Sequence, residues 1–307
     1  MESMDRPGIH TMSPSHTFAH KAMKTEFTLR LKHPDQQLAQ SVAREAFELI
    51  DELESKLSRY FHGSDVWQIN RMQAGQNLFI SELCHDCLLE GLQAYQQTGG
   101  LFDITLGQLI EHRKNKLDEP PPQLAGQLVI APDRPAIQCN EPGREIDLGG
   151  IGKGFALDRA KRLIQAWNIE SGILSAGAST HLAFGPQAWK LGLSSKNETL
   201  EITLRDQALS ASGTSIQEAH IVAPPELEGS THHPRVWVVH HSATWADVWS
   251  TTAMLMSQKE LQEMADQFPG LYIENPDSGC VEQIHATGQD EKAATQKLPA
   301  FSRKGTV

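Results

Sequence analysis

The 307-residue sequence has no run that approaches the roughly 18 consecutive apolar residues a membrane helix needs. Its first twenty residues mix His, Ser, Pro, Asp and Arg and contain no apolar stretch of the secretory-signal kind. A cytoplasmic protein without a membrane span is therefore the expectation, given an N-terminus that starts at Met1. An excess of positive charge is also missing. The formal net charge of −11 opposes attraction to nucleic-acid backbones or anionic lipids, so no nucleic-acid partner is expected. A phosphate-bearing ligand would need a local device to hold it. Cysteine is scarce, with four residues at 84, 87, 139 and 280. Cys84 and Cys87 form a C-x-x-C, but no second such pair completes a four-ligand zinc site. Both lie in a helical pattern with Leu83, Leu88 and Leu92, where buried thiols are expected.

What is present supports a sizeable core, since 39% of the residues are apolar. Residues 1–17 and 287–307 are polar and aperiodic and read as disordered tails around a folded domain spanning 18–286. Alternation over 25–31 predicts a first strand. A helix over 35–57 follows, with Asp35 as its cap and apolar residues at helical spacing from Leu38 to Leu57. A second helix over 81–97 stops at Gly99-Gly100. Further strands are predicted at 127–131, 136–139, 144–148, 172–175, 189–193, 200–204, 235–239 and 271–273, and helices at 155–167, 245–257 and 258–267. Several strand pairs are close enough for hairpins, which predicts an α+β fold of mixed, largely antiparallel sheets with packed helices. There is no internal repeat.

The strongest local signal is Asp147-Leu148-Gly149-Gly150-Ile151-Gly152-Lys153-Gly154, between a predicted strand and a helix. Backbone N–H groups at such an entrance, with Lys153 beside them, can hold phosphate oxygens; a tight turn whose glycines serve packing alone is the other reading. A Walker A loop is excluded because Asp147 stands where its first Gly should be and Gly154 where Ser or Thr should follow Lys153. A G-x-G-x-x-G starting at Gly150 is excluded by Phe155. Asp247 and Thr251 lie four apart, so on a helix both oxygens face one side and suit a hard cation such as Mg²⁺. Alternatively, Asp247 serves the helix dipole and Thr251 back-bonds to its own helix. The pairs His232-His233 and His240-His241 carry no metal assignment, because neighbours on a strand point to opposite faces.

Taken in order, these segments resemble the ApbE-like family of FAD:protein FMN transferases over nearly the whole folded part. The matching blocks are Ala22 to Thr25, Leu57 to Tyr60 continuing through Ser64 to Asn70, Thr98 to Asp103, and Asp147 to Ala156. They continue with Ser175 to Ala178, Ser210 to Gly213, His220-Ile221 and Ala246 to Thr251. The resemblance implies an ApbE-like, T-fold-like domain that binds FAD as substrate with Mg²⁺ as cofactor. It implies metal ligation by the main-chain oxygen of Gly150 and the side chains of Asp247 and Thr251. It also implies FAD contacts at Met23, Tyr60, Leu101, Phe102, Asp103, Asp147, Lys153 and Ile221. The chain departs from the pattern in three places. Lys24 replaces a small Gly, Ala211 stands where Thr is frequent, and His220 to Pro224 lacks the usual Asp before Pro and the Thr-Gly after it.

The reaction so implied is attack of a Thr or Ser hydroxyl of an acceptor protein on the FMN phosphorus of FAD, with release of AMP. Such phosphoryl transfer needs charge neutralisation and positioning, the expected work of Mg²⁺ and Lys153. His220 is the candidate base, since an imidazole with pKa about 6.5 can accept a hydroxyl proton at neutral pH, and Asp247 is the second. Two alternatives keep the ligand: an FAD pyrophosphatase that uses water, and a flavin-binding protein that has lost catalysis.

Overall fold

The computed structural model describes residues 13–115, 120–214 and 231–286. At its centre an eight-stranded sheet runs in the order β1 (Ser15–Ala22), β2 (Thr25–Lys32), β6 (Ser171–Ala176), β7 (Thr180–Phe184), β10 (Ala208–Gly213), β11 (Arg235–His240), β12 (Gly270–Glu274) and β13 (Val281–Gln283). Every neighbouring pair in it is antiparallel. Two smaller antiparallel sheets join β3 (Asn77–Phe79), β5 (Ala136–Glu141) and β4 (Gln127–Ile130), and β8 (Trp189–Ser194) with β9 (Thr199–Leu204). The helices are α1 (Gln36–Leu57), α2 (Asp65–Ile69), α3 (Glu82–Gln97), α4 (Gly107–Lys114), α5 (Gly152–Ala166), α6 (Ala243–Ala253) and α7 (Gln258–Met264). The α+β architecture expected from the sequence is the one observed.

Periodicity explains which face each element buries. Along β2, Phe27, Leu29 and Leu31 alternate inward and meet Val42, Ala46, Ile50 and Leu53 of α1 and Leu157, Ala160 and Ile164 of α5 in one core. Each such Leu or Ile contributes about 1.5–3 kcal/mol on burial. The opposite face of the sheet is covered by the β8–β9 ribbon, where Trp189, Leu193 and Leu204 pack on Ile173, Leu209, Trp237 and Val239. Strand β6 sends Leu174 to one core and Ile173 to the other, which is why it reads as a continuous apolar run rather than an alternating one. Helix α1 starts where Asp35 accepts the N–H groups of Gln37 (2.8 Å) and Leu38 (3.1 Å). Helix α3 ends at Gly99 and Gly100, both with positive φ.

Three expectations need correction. Residues 144–148 are not a strand; only Glu145 makes a bridge, to Leu106. The segment is pinned by side chains instead, with Asn70 exchanging two bonds with the Ile146 backbone (2.7 and 2.9 Å), which leaves it free to turn into the glycine loop. Helix α5 begins at Gly152 rather than at 155, so Lys153 sits in its first turn. A strand at 15–22, overlapping the expected tail, pairs with β2 along its whole length. No helix among the described residues is long and apolar enough to cross a membrane.

Candidate functional site

One cavity of about 660 Å³ collects residues from widely separated parts of the chain. Met23, Tyr60, Leu101, Phe102, Asp103, Asp147, Gly150, Lys153, Asp247 and Thr251 all line it. These are all the site residues expected from the sequence that fall among the described residues. His220 and Ile221 lie outside the described residues.

At one end stands Asp247, which is 3% exposed. Its Oδ1 accepts from the hydroxyls of Ser210 (3.0 Å) and Thr180 (3.4 Å), and its Oδ2 accepts the N–H of Gly154 (3.2 Å) and pairs with Lys153 Nζ at 3.7 Å. The contact to Gly154 exists because α5 and α6 touch backbone to backbone. A Cβ on Gly154 would lie 2.2 Å from the Ala243 carbonyl oxygen, so any side chain there would force the helices apart. Asp158 of α5 locks the same junction, taking the N–H groups of Ala243 (3.0 Å) and Thr244 (2.8 Å) and the hydroxyls of Ser242 (2.7 Å) and Thr244 (2.6 Å).

Thr251 does back-bond to the Asp247 carbonyl (3.0 Å), as the plain helical reading expects, yet its hydroxyl also faces the glycine loop. A Cβ on Gly150 would meet Thr251 Oγ1 at 3.2 Å and Phe102 Cε2 at 3.0 Å. The Gly150 backbone thus approaches Thr251, one of the two side chains with which the sequence grouped it. One carboxylate, one hydroxyl and one main-chain carbonyl form an all-oxygen donor set that fits a hard divalent cation completing its shell with water and ligand phosphates. Among the described residues there is no cluster of three or more His, Cys, Asp or Glu that could hold a metal.

The other end is built of long charged side chains. Arg59, on the loop after α1, donates to Gly107 O (2.7 Å), Glu145 (2.5 Å) and Asp147 (3.2 Å). Asp147 also accepts the N–H of Gly149 (2.8 Å) and so shapes the start of the glycine loop. Lys114 reaches Asp147 at 4.0 Å and donates to the Tyr60 hydroxyl (2.9 Å), which in turn donates to Glu111 (3.0 Å). Burial and then the bond to Glu111 push the Tyr60 phenol up to about 12, so it stays protonated at neutral pH. Burial pulls the Lys114 ammonium down, aided by Arg59 and Lys24 and opposed by Asp147 and Glu111. Asp103 is held by Thr105 (2.7 Å to both N–H and hydroxyl) and by Arg144 (3.4 Å).

Met23 and Lys24 form the two-residue turn between β1 and β2, both with positive φ (49° and 59°), a conformation that favours Asn-Gly. Lys24 holds it with its ammonium 4.0 Å from the Tyr60 ring centre.

Elsewhere the expectation of buried thiols is met. Cys84 and Cys87 are free and buried, and burial pushes both thiols up, which makes them inert. His233 bonds to Met256 O (3.1 Å), and His240 accepts the Ser242 N–H (3.1 Å). Several functional neighbours were not anticipated. Arg59 and Ser210 lie inside blocks quoted for the resemblance but carried no role, and Asp158 lies two residues past one. Thr180 and Lys114 had no signal in the sequence at all.

The chain matches the ApbE family over residues 23–273. It is 23% identical to an FAD:protein FMN transferase of Rhodobacter capsulatus over 64% of this chain and 43% of that one. It is also 23% identical to the FAD:protein FMN transferase of Buchnera aphidicola subsp. Schizaphis graminum over 70% and 73%. The chain therefore spans less than half the length of the first of these relatives. The crystal structure of the Pseudomonas stutzeri flavinyl transferase ApbE superposes with a TM-score of 0.78 at 20% identity, over 94% of this chain and 98% of that one. With the matched region covering most of the sequence and the fold in agreement, the chain belongs to the ApbE family.

Proposed function

We propose that this protein is a Mg²⁺-dependent FAD:protein FMN transferase that attaches FMN through a phosphoester to a Thr or Ser of an acceptor protein and releases AMP. The observation that carries this reading is the convergence of ten residues, from Met23 to Thr251, on one cavity with an all-oxygen corner beside a lysine and a helix entrance. Its volume of about 660 Å³ suits a large cofactor. Gly150, Asp247 and Thr251 would hold Mg²⁺. When bound, the ion would neutralise charge on the pyrophosphate.

The chain's own residues then do the following work. Lys153, in the first turn of α5, binds the phosphate oxygens and, with the positive end of the helix dipole, favours the charge that grows on them in the transition state. Tyr60, Phe102 and Leu101 supply apolar and aromatic surface for the flavin ring. The acceptor hydroxyl oxygen forms a bond to the FMN phosphorus while the bond to the bridging oxygen breaks, and AMP departs with that oxygen. The hydroxyl proton passes to the imidazole of His220, with the Asp247 carboxylate as the second candidate.

The test is incubation of the purified chain with FAD, Mg²⁺ and a reporter protein carrying a flavinylation sequence, followed by a denaturing gel under ultraviolet light. Fluorescent reporter that requires both Mg²⁺ and Asp247 is the expected result. A dark reporter with AMP released would replace the transferase by an FAD pyrophosphatase. A dark reporter with intact FAD, across several acceptor sequences, would leave a flavin-binding protein.

A further inference from the structure

A carboxylate offers about four lone-pair positions; on Asp247 three accept protein hydrogen bonds and the fourth faces a lysine ammonium in an ion pair. Ser210 and Thr180 occupy Oδ1, and the Gly154 N–H and the Lys153 ammonium occupy Oδ2. A cation that binds Asp247 must therefore displace one of them. Three of the four are immobile: Ser210 and Thr180 are fully buried on adjacent strands of the sheet, and the Gly154 N–H belongs to the backbone where α5 meets α6. Lys153 differs in every respect. Its contact is the longest at 3.7 Å, its side chain is 18% exposed, it has a flexible four-carbon stem, and it lines the cavity. It also carries a full positive charge, so a divalent cation at Asp247 and the ammonium would repel each other at close range.

We infer that Lys153 is an exchangeable placeholder at Asp247, one that gives way to the divalent cation and, once released, turns to the ligand's phosphates. This rests on the reading of Asp247 as a metal ligand. The exchange makes cation and pyrophosphate bind with positive coupling. Phosphates that draw Lys153 away open Oδ2, and a cation that expels Lys153 offers its charge to the phosphates. By linkage the two effects are equal in size. Lys153 is then a positioning residue for the metal as well as a phosphate contact, a role that a phosphate-binding lysine remote from the carboxylate would not have.

The test is Mn²⁺ titration of the full chain without nucleotide, followed by the loss of the free-ion electron paramagnetic resonance signal. It is run on the wild type, Asp247→Ala, Lys153→Met, Lys153→Gln and Lys153→Arg, with thermal melts to verify folding. Removing the competing charge should tighten Mn²⁺ binding about fivefold in Lys153→Met and Lys153→Gln, while Lys153→Arg stays within about twofold of wild type. With FAD present, the FAD-linked gain in Mn²⁺ affinity should shrink in the two neutral variants. Unchanged or weaker Mn²⁺ binding in both folded neutral variants, with Asp247→Ala abolishing it, would overturn the placeholder and leave the metal reading intact. Mn²⁺ binding indifferent to Asp247→Ala would overturn the metal reading and the placeholder with it.

Discussion

The two ends of the cavity solve the same problem, holding a carboxylate in place, by opposite means. Around Asp147 the side-chain partners are Arg59 and Lys114, long side chains anchored on loops and helix ends and balanced by Glu145 and Glu111, with the Gly149 N–H beside them. Around Asp247 the partners are two hydroxyls, one backbone N–H and a single lysine, set on strands and on the junction of two helices. Long charged side chains adapt to a ligand of varied shape. Short hydroxyls on a sheet leave a carboxylate little room to move, and metal geometry rewards that restriction.

The sharpest way to break this comparison is to remove one carboxylate. Asp247→Ala should reduce flavin transfer to the reporter by about a thousandfold while the protein stays folded, as judged by its melting curve. A loss under tenfold would mean that the rigid end is not where the chemistry happens. The adaptable end should instead fail through stability. Arg59→Met strands Asp147 and Glu145 beside a methyl group and should cost about 3 kcal/mol in urea unfolding. A cost under about 1 kcal/mol would show that these pairs are solvated decoration.

Finer changes sharpen the contrast. Ser210→Ala deletes one donor to Asp247 Oδ1 and should weaken Mn²⁺ binding about tenfold, with Ser210→Thr recovering most of the affinity. Equal affinities in the three proteins would mean that the hydroxyl is packing only. In the sheet beside Thr180, burial holds the His181 imidazole below its usual pKa, and His233 and His240 are shifted the same way. These groups bind fewer protons folded than unfolded. Their contribution is present above about pH 6.5 and is lost as pH falls, each by at most about 1.4 kcal/mol per pH unit. Urea melts at pH 7.5 and 5.5 should show stability falling in acid, and His181→Asn should flatten the trend. The smallest effect belongs to the turn between β1 and β2. Lys24→Gly relieves a left-handed residue and should raise unfolding stability by about 0.5–1 kcal/mol, a gain that a melt can resolve.

The helix boundaries, the glycine loop and the spacing of Asp247 and Thr251 were legible because their signals are local, whereas the other site residues came from the family resemblance. Asp35 caps α1 through the next three residues, Gly99 and Gly100 close α3, and Asp247 and Thr251 share a helix face by spacing alone. The failed strand at 144–148 is instructive for the same reason. Its apolar alternation is real, but the partners it meets are Asn70 and Arg59 rather than a neighbouring strand. Periodicity reports which side chains face inward and is silent about what waits there.

From the sequence alone came the element types, the glycine loop with its lysine, and the pairing of Asp247 with Thr251, all set by contacts within about four residues. Only the tertiary structure decided that Ser210 and Thr180, 37 and 67 residues from Asp247, hold its carboxylate. It alone decided that Arg59 reaches across 88 residues to Asp147, and that the Lys153 ammonium lies 3.7 Å from the Asp247 carboxylate. Hydrogen bonds between distant segments depend on sheet order and helix contact, which no local spacing encodes.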